Sequence, residues 1–210
     1  MSINIDNCNF RDDYFHFSNQ ANVASILKVG LQPSAGAASQ LVGHDKNVSV
    51  SKGAKGIMGI INSFIYVFST KVKLSEIPEE YQKYFPQFTN FTLDQPIPKD
   101  IVCEAIRRKL QDEVYFRVEI DDNQLDQAKI GGLTGYDIKL PMAIEPSKVS
   151  LITDNNNRVL SAYDVAGYIY EKGKDVDVFR FMHDDFFYLF DQVQQNTMTN
   201  TTTTVGGKHR

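Results

Sequence analysis

His16 and Ser18 stand two residues apart in the run Tyr14-Phe15-His16-Phe17-Ser18. An imidazole offers one ring nitrogen as donor and the other as acceptor. A serine hydroxyl does both from a single oxygen. Side chains of these types suit sugar hydroxyls or a carboxamide. A second point of this kind is Ser51-Lys52-Gly53. Between the two, Ser34-Ala35-Gly36-Ala37-Ala38-Ser39 carries side chains small enough to let a ligand approach the backbone.

These residues need elements to hold them. Three aromatics around His16 favour a half-buried strand. Asn19 then reads as a cap, and Val23, Ile26 and Leu27 recur at helical spacing. Gly30 fits a left-handed stop, Leu31 the apolar contact after it, and Pro33 blocks continuation. Asn47-Val48-Ser49-Val50-Ser51 alternates as a strand does. Ile57, Ile60, Ile61, Phe64, Ile65 and Phe68 then form the apolar stripe of a core helix over 53–70.

Further along, the pattern predicts a helix over 99–110, a strand over 113–120 and a short capped turn at Asp121-Asp122-Asn123. Residues 129–143, with Gly131, Gly132 and Gly135, read as loop. A strand is expected near 149–152, and two C-terminal helices over 161–172 and 176–195. The Thr- and Asn-rich tail 196–210 lacks apolar periodicity and reads as disordered. Residues 1–195 are expected to form one domain.

The order of these blocks resembles the ADP-ribosyltransferase-like superfamily. The carriers are His16-x-Ser18, Gly30-Leu31-x-Pro33, Ser51-Lys52-Gly53 and the late Glu145-Pro146-Ser147-Lys148-Val149. They span roughly 14–172 and look most similar to an uncharacterised bacterial group with these blocks. The resemblance implies an α+β fold, a split β-sandwich with peripheral helices, and NAD as cofactor. It places His16 at a ribose, with Phe17, Ser18, Gly30, Leu31, Gly36, Ser39, Ser51 and Lys52 around the dinucleotide. Ser51 would face the nicotinamide. The implied activity is transfer of ADP-ribose to a macromolecular acceptor, a protein first and a nucleic acid second, as in a bacterial toxin or effector.

Such a transfer passes through an oxocarbenium-like centre, which a carboxylate would stabilise. The superfamily's usual late-strand glutamate pair has no counterpart in this chain. Asp137, nine residues before Pro146, and Glu145 are the candidates. Glu119, next to the apolar Val118, reads as an outward-facing charge.

Composition excludes several classes. Apolar residues make up 42% and aromatics 11% of 210 residues, enough for a core. The formal charge of −4 argues against a dedicated nucleic-acid binder. Cys8 and Cys103 make neither a disulfide framework nor a zinc site, and His183 lacks companion ligands, so no metal is expected. No apolar run is long enough to span a bilayer and no signal pattern opens the chain, so a cytoplasmic location is expected, with signal-less secretion into a host cell open.

Two other functions compete. The missing glutamate and the aromatic segment 81–91, with Tyr84, Phe85 and Phe88, suit an interaction module that has lost its chemistry. An RNA 2′-phosphotransferase shares the fold, but would need more basic residues than Lys52. The sharpest expectation is geometric: His16 and Ser51 on neighbouring strands, side chains on one face of one cleft, with 34–39 overhanging it.

Overall fold

The computed structural model describes residues 1–34, 46–70, 73–77, 79–85, 97–131 and 137–172. Among these residues seven strands form one sheet: β1 (Ser2–Asn4), β2 (Tyr14–Asn19), β3 (Val48–Lys52), β4 (Glu113–Val118), β5 (Lys129–Gly131), β6 (Asp137–Leu140) and β7 (Val149–Thr153). Their order across the sheet is β1-β7-β4-β2-β3-β6-β5. Only β1 and β7 pair in parallel; the other neighbours are antiparallel. The helices are α1 (Val23–Val29), α2 (Gly53–Thr70), α3 (Glu79–Gln82), α4 (Lys99–Asp112), α5 (Asp122–Leu125) and α6 (Ala162–Lys172). This is an α+β arrangement.

Alternation along the strands sorts side chains onto two faces. Phe15, Tyr115 and Ile152 meet Ile57, Met58 and Ile61 of α2, Val102 and Ile106 of α4, and Val165 and Ile169 of α6. On the other face Val48, Val50, Val114, Phe116, Val118, Leu140 and Leu151 pack with Ile26 of α1, Leu31 and Ile144. Each fully buried side chain of this size contributes about 2 kcal/mol. Helices cover both faces, which is why Phe15 and Phe116, on opposite faces, are both sealed.

The seam between β2 and β3 differs from the other ladders. The strands have six and five residues, yet only Tyr14↔Lys52 and Phe15↔Ser51 are in register. On its other side β2 pairs with β4 along its whole length, from Tyr14↔Val118 to Asn19↔Glu113. The sheet therefore parts beyond Phe15. At the closed end of the seam, the amides of Gly53 and Ala54 bond the carbonyls of Asp13 and Phe10 at 2.8 and 2.6 Å. That caps the N-terminus of α2, whose first amides have no partner within the helix.

Two expectations are corrected. Residues 129–143 are not loop throughout. Asp137-Ile138-Lys139-Leu140 alternates, with Ile138 and Leu140 in the second core, and pairs with both β3 and β5. Residues 1–12, polar in sequence and read as a lead-in to the first strand, carry a strand of their own: Ser2–Asn4 pairs with Leu151–Thr153. The helix over 99–110 runs on to Asp112, and the strand over 113–120 ends at Val118. The expected helix over 176–195, the tail, His183, Phe88 and most of the loop after Ser34 lie outside the described residues.

Candidate functional site

The site is built outward from β2. His16 is the first residue past the registered pairs, and its ring crosses the gap: Nδ1 lies 2.9 Å from the carbonyl oxygen of Ser49 on β3. An oxygen can only accept, so Nδ1 carries the proton and Nε2 is left as an acceptor. Desolvation holds the imidazole below its ordinary pKa, and the bond to Ser49 opposes that only in part. His16 is half-buried and neutral at physiological pH.

Register fixes which way each candidate faces. His16 stands opposite Phe116, and Ser18 opposite Val114, so both project on the α1 side. The hydroxyl of Ser18 accepts from Asn22 Nδ2 at 3.3 Å. Asn19 accepts from the Ala21 amide at 2.9 Å and so starts the turn that leads into α1.

Ser51 faces the other way. It is paired with Phe15 and Asp137 and therefore shares their face, opposite to His16. It is 1% exposed. A Cβ on Gly56 would lie 2.9 Å from that of Ser51, so the glycine lets α2 close over the serine. The expectation of one shared face is corrected: the strands are neighbours, but Phe15 sits opposite Ser51, and the residue after Phe15 must point away. Phe17 is corrected with it. It lies on the Ser51 face, its ring 5.2 Å from that of Tyr115. Lys52 ends β3 with its ammonium 5.8 Å from the Tyr14 ring centroid.

Gly30 and Leu31 are brought to Glu145 as a packing joint. Leu31 and Ile144 exchange both backbone bonds at 2.9 Å. Gly30 has φ +76°, and a Cβ there would come within 2.0 Å of the Ile144 carbonyl. Glu145 is exposed and precedes the turn Pro146–Lys148. Of the loop residues, Ser34 is described and bridges Asn47, whereas Gly36 and Ser39 lie outside the described residues.

Asp137 stands across from Ser51, with one oxygen 3.8 Å from the Lys139 ammonium. Glu119 is exposed and meets Arg117 at 3.1 Å, which leaves it a surface charge. The aromatic segment does not present Tyr84, which is buried together with Tyr81. Both rings flank the Lys109 ammonium, at 5.9 and 5.0 Å. Of the three aromatics that the interaction-module reading named, Tyr84 is thus buried, Phe85 is half-buried against the first core, and Phe88 lies outside the described residues.

Sequence reasoning missed Ser49 and Lys139. Both sit between apolar residues of strands, Val48/Val50 and Ile138/Leu140, and so share the face opposite to them. That alternation was readable, but which strands lie side by side was not. Among the described residues, no group of three or more side chains could hold a metal ion. No described helix is long and apolar enough to cross a membrane. No family model, curated protein or solved structure matches this chain.

Proposed function

We propose that the chain is an NAD-binding protein with an ADP-ribosyltransferase-like split sheet, acting on a macromolecular acceptor, a protein foremost. One observation carries this reading. The ladder between the His16 strand and the Ser51 strand parts after two residue pairs, and the His16 ring reaches across the opening to Ser49. The strand carrying Asp137 lies directly beyond, so the three motif strands stand side by side as β2-β3-β6. The motif resemblance calls for the first two of these, the His16 and Ser51 strands, to be neighbours.

In this reading Nε2 of His16 accepts from a ribose hydroxyl, and Ser18 bonds the neighbouring one. In transfer, the C–N bond between ribose and nicotinamide breaks and its electron pair leaves with nicotinamide. The acceptor's nucleophile then bonds the anomeric carbon and gives up its proton. Of the two carboxylates offered for that role, Glu145 is a solvated residue at a turn. Asp137, though on the strand beside β3, stands with Ser51 on the face away from His16, so transfer would need the ligand to reach past the parting of the sheet.

A second reading, binding without transfer, is favoured by the burial of Ser51 and by its facing away from His16. The experiment separates the two. NAD at 100 times its dissociation constant should stabilise the protein by about 2.7 kcal/mol, and His16→Ala should abolish the effect. Absence of any stabilisation by millimolar NAD sinks both readings. Label transferred from NAD to protein, and lost in Asp137→Asn, selects the transferase. Binding without label transfer selects the second.

A further inference from the structure

On the His16 face, Tyr14, His16 and Ser18 follow one another along β2, and Lys52 of β3 stands opposite Tyr14. Alternation puts Lys52 on this face and Ser51 on the other. All four residues are partly exposed. Their flanks on the same face, Phe116 and Val118 of β4 and Val50 of β3, are sealed. A strip open to solvent thus runs along β2 through an otherwise closed face.

The strip carries one cation and no carboxylate. The acidic residues of β2, β3, β4 and β6 are Glu113 and Asp137, and register puts both on the opposite face. Among the described residues Lys52 has no ion pair; its ammonium lies 5.8 Å from the Tyr14 ring centroid. That contact draws the charge from β3 toward β2. A half-buried cation ordinarily has a counter-charge, and this one lacks it within the chain described. Its backbone is fixed, because the next residue, Gly53, donates to the Asp13 carbonyl at 2.8 Å. Tyr14 and His16 are about 7 Å apart along their strand, and the Tyr14–Lys52 pair is about 5 Å wide. One nucleotide can span that patch.

We propose that Lys52 is the phosphate-binding residue of the His16 site, so that a nucleotide lies along β2 with its sugar hydroxyls at His16 and Ser18 and its 5′-phosphates over Tyr14. The proposal rests on the NAD reading for its ligand. The motif resemblance puts Lys52 near the dinucleotide; its face and its missing counter-charge give it a partner group there. Phosphate oxygens supply that counter-charge through charge-assisted hydrogen bonds. The orientation does not reverse, because Nε2 of His16 is an acceptor and takes a hydroxyl, not a phosphate oxygen. The phosphates therefore point to the closed end of the seam.

The test uses the full chain and three probes: NAD, inorganic pyrophosphate, and nicotinamide riboside, which lacks phosphate. Lys52→Met removes the charge and keeps the stem; Lys52→Arg keeps the charge. Lys52→Met should lose about tenfold or more in NAD affinity and hold riboside affinity within about twofold, and Lys52→Arg should recover most of the loss. In the wild type alone, raising salt from about 0.05 to about 0.5 M should weaken NAD binding and leave riboside binding unchanged. NAD binding that is undiminished in Lys52→Met, or indifferent to salt, overturns the subsite and leaves the NAD reading standing. Equal losses for NAD and the riboside also overturn it, because Lys52 would then shape the strip as a whole. Pyrophosphate binding that is lost in Lys52→Met, in a wild type that ignores NAD and the riboside, upholds the subsite and overturns the NAD reading. Failure of all three probes on folded wild type overturns both.

Discussion

Nδ1 of His16 lies 2.9 Å from the carbonyl oxygen of Ser49, across a seam where the two strands have stopped pairing. A side chain has taken an acceptor that an unbroken antiparallel ladder would have given to a backbone amide. The bond fixes the tautomer and aims Nε2 away from β3.

That bond gives a pH dependence. The folded pKa of His16 lies below its ordinary 6.5, chiefly through desolvation. Between the folded value and 6.5 the unfolded chain binds more protons, so stability rises with pH through that window. The contribution is complete above about 7.5 and is lost as pH falls from 6.5 toward the folded value. Urea titrations of wild type and His16→Asn from pH 5 to 8 should show the wild-type curve falling faster on acidification. Parallel curves would count against a desolvated, neutral imidazole.

Ser51 should prove dispensable for the ligand. It is buried under Gly56 on the face away from His16. Ser51→Ala is expected to leave NAD affinity within about twofold, less than a single charge-assisted hydrogen bond would cost. Ser51→Leu should unfold the protein by pushing α2 off the sheet. A tenfold loss of NAD binding in the folded alanine variant would restore Ser51 to the site.

Gly30→Ala should cost about 3 kcal/mol in chemical denaturation, combining a glycine-only backbone conformation with a clash at the Ile144 carbonyl. A cost below 1 kcal/mol would show that the joint between α1 and residues 144–146 yields easily.

Lys109 and Glu113 form an ion pair with side chains 14% and 6% exposed, and the ammonium lies 5.1 Å from the Phe17 ring. Lys109→Met should cost about 3 kcal/mol because Glu113 is left buried and unpaired. Adding Glu113→Gln should recover at least about half of that. Additive losses in the double variant would mean that the two residues do not act as a pair.

Cys8 should resist alkylation. Burial first, and Asp13 second, push its thiol up to about 12. At pH 8 iodoacetamide should modify it far more slowly than a free thiol. Labelling at the free-thiol rate in folded protein would refute this.

The elements with strong local periodicity were legible from residue types alone. The His16 strand, α1 with its Gly30 stop, and α4 followed by β4 all signal themselves through spacing. What failed was short or paired at a distance. Ser2–Asn4 is polar, and Ser2 finds Leu151 across almost the whole described chain. Asp137–Leu140 alternates for only four residues after a glycine-rich run. The site shows the same division. His16 and Ser18 were found because they share one strand, where alternation alone places them on one side. Their relation to Ser51 depends on register between strands, and one step of register reverses the face.

Mechanically, the seam makes this sheet two plates instead of one. Four strands, β1-β7-β4-β2, lie on one side and three, β3-β6-β5, on the other. Tyr14↔Lys52 and Phe15↔Ser51 join them at one end, beside the backbone bonds from Gly53 and Ala54 to Asp13 and Phe10. A small rotation about that end strains no other strand pairing, whereas bending either plate would strain several. Parting the seam further would have to uncover Val48, 2% exposed in a core shared with Val114 and Phe116 of the other plate, so that packing and the His16–Ser49 bond together keep the two plates shut.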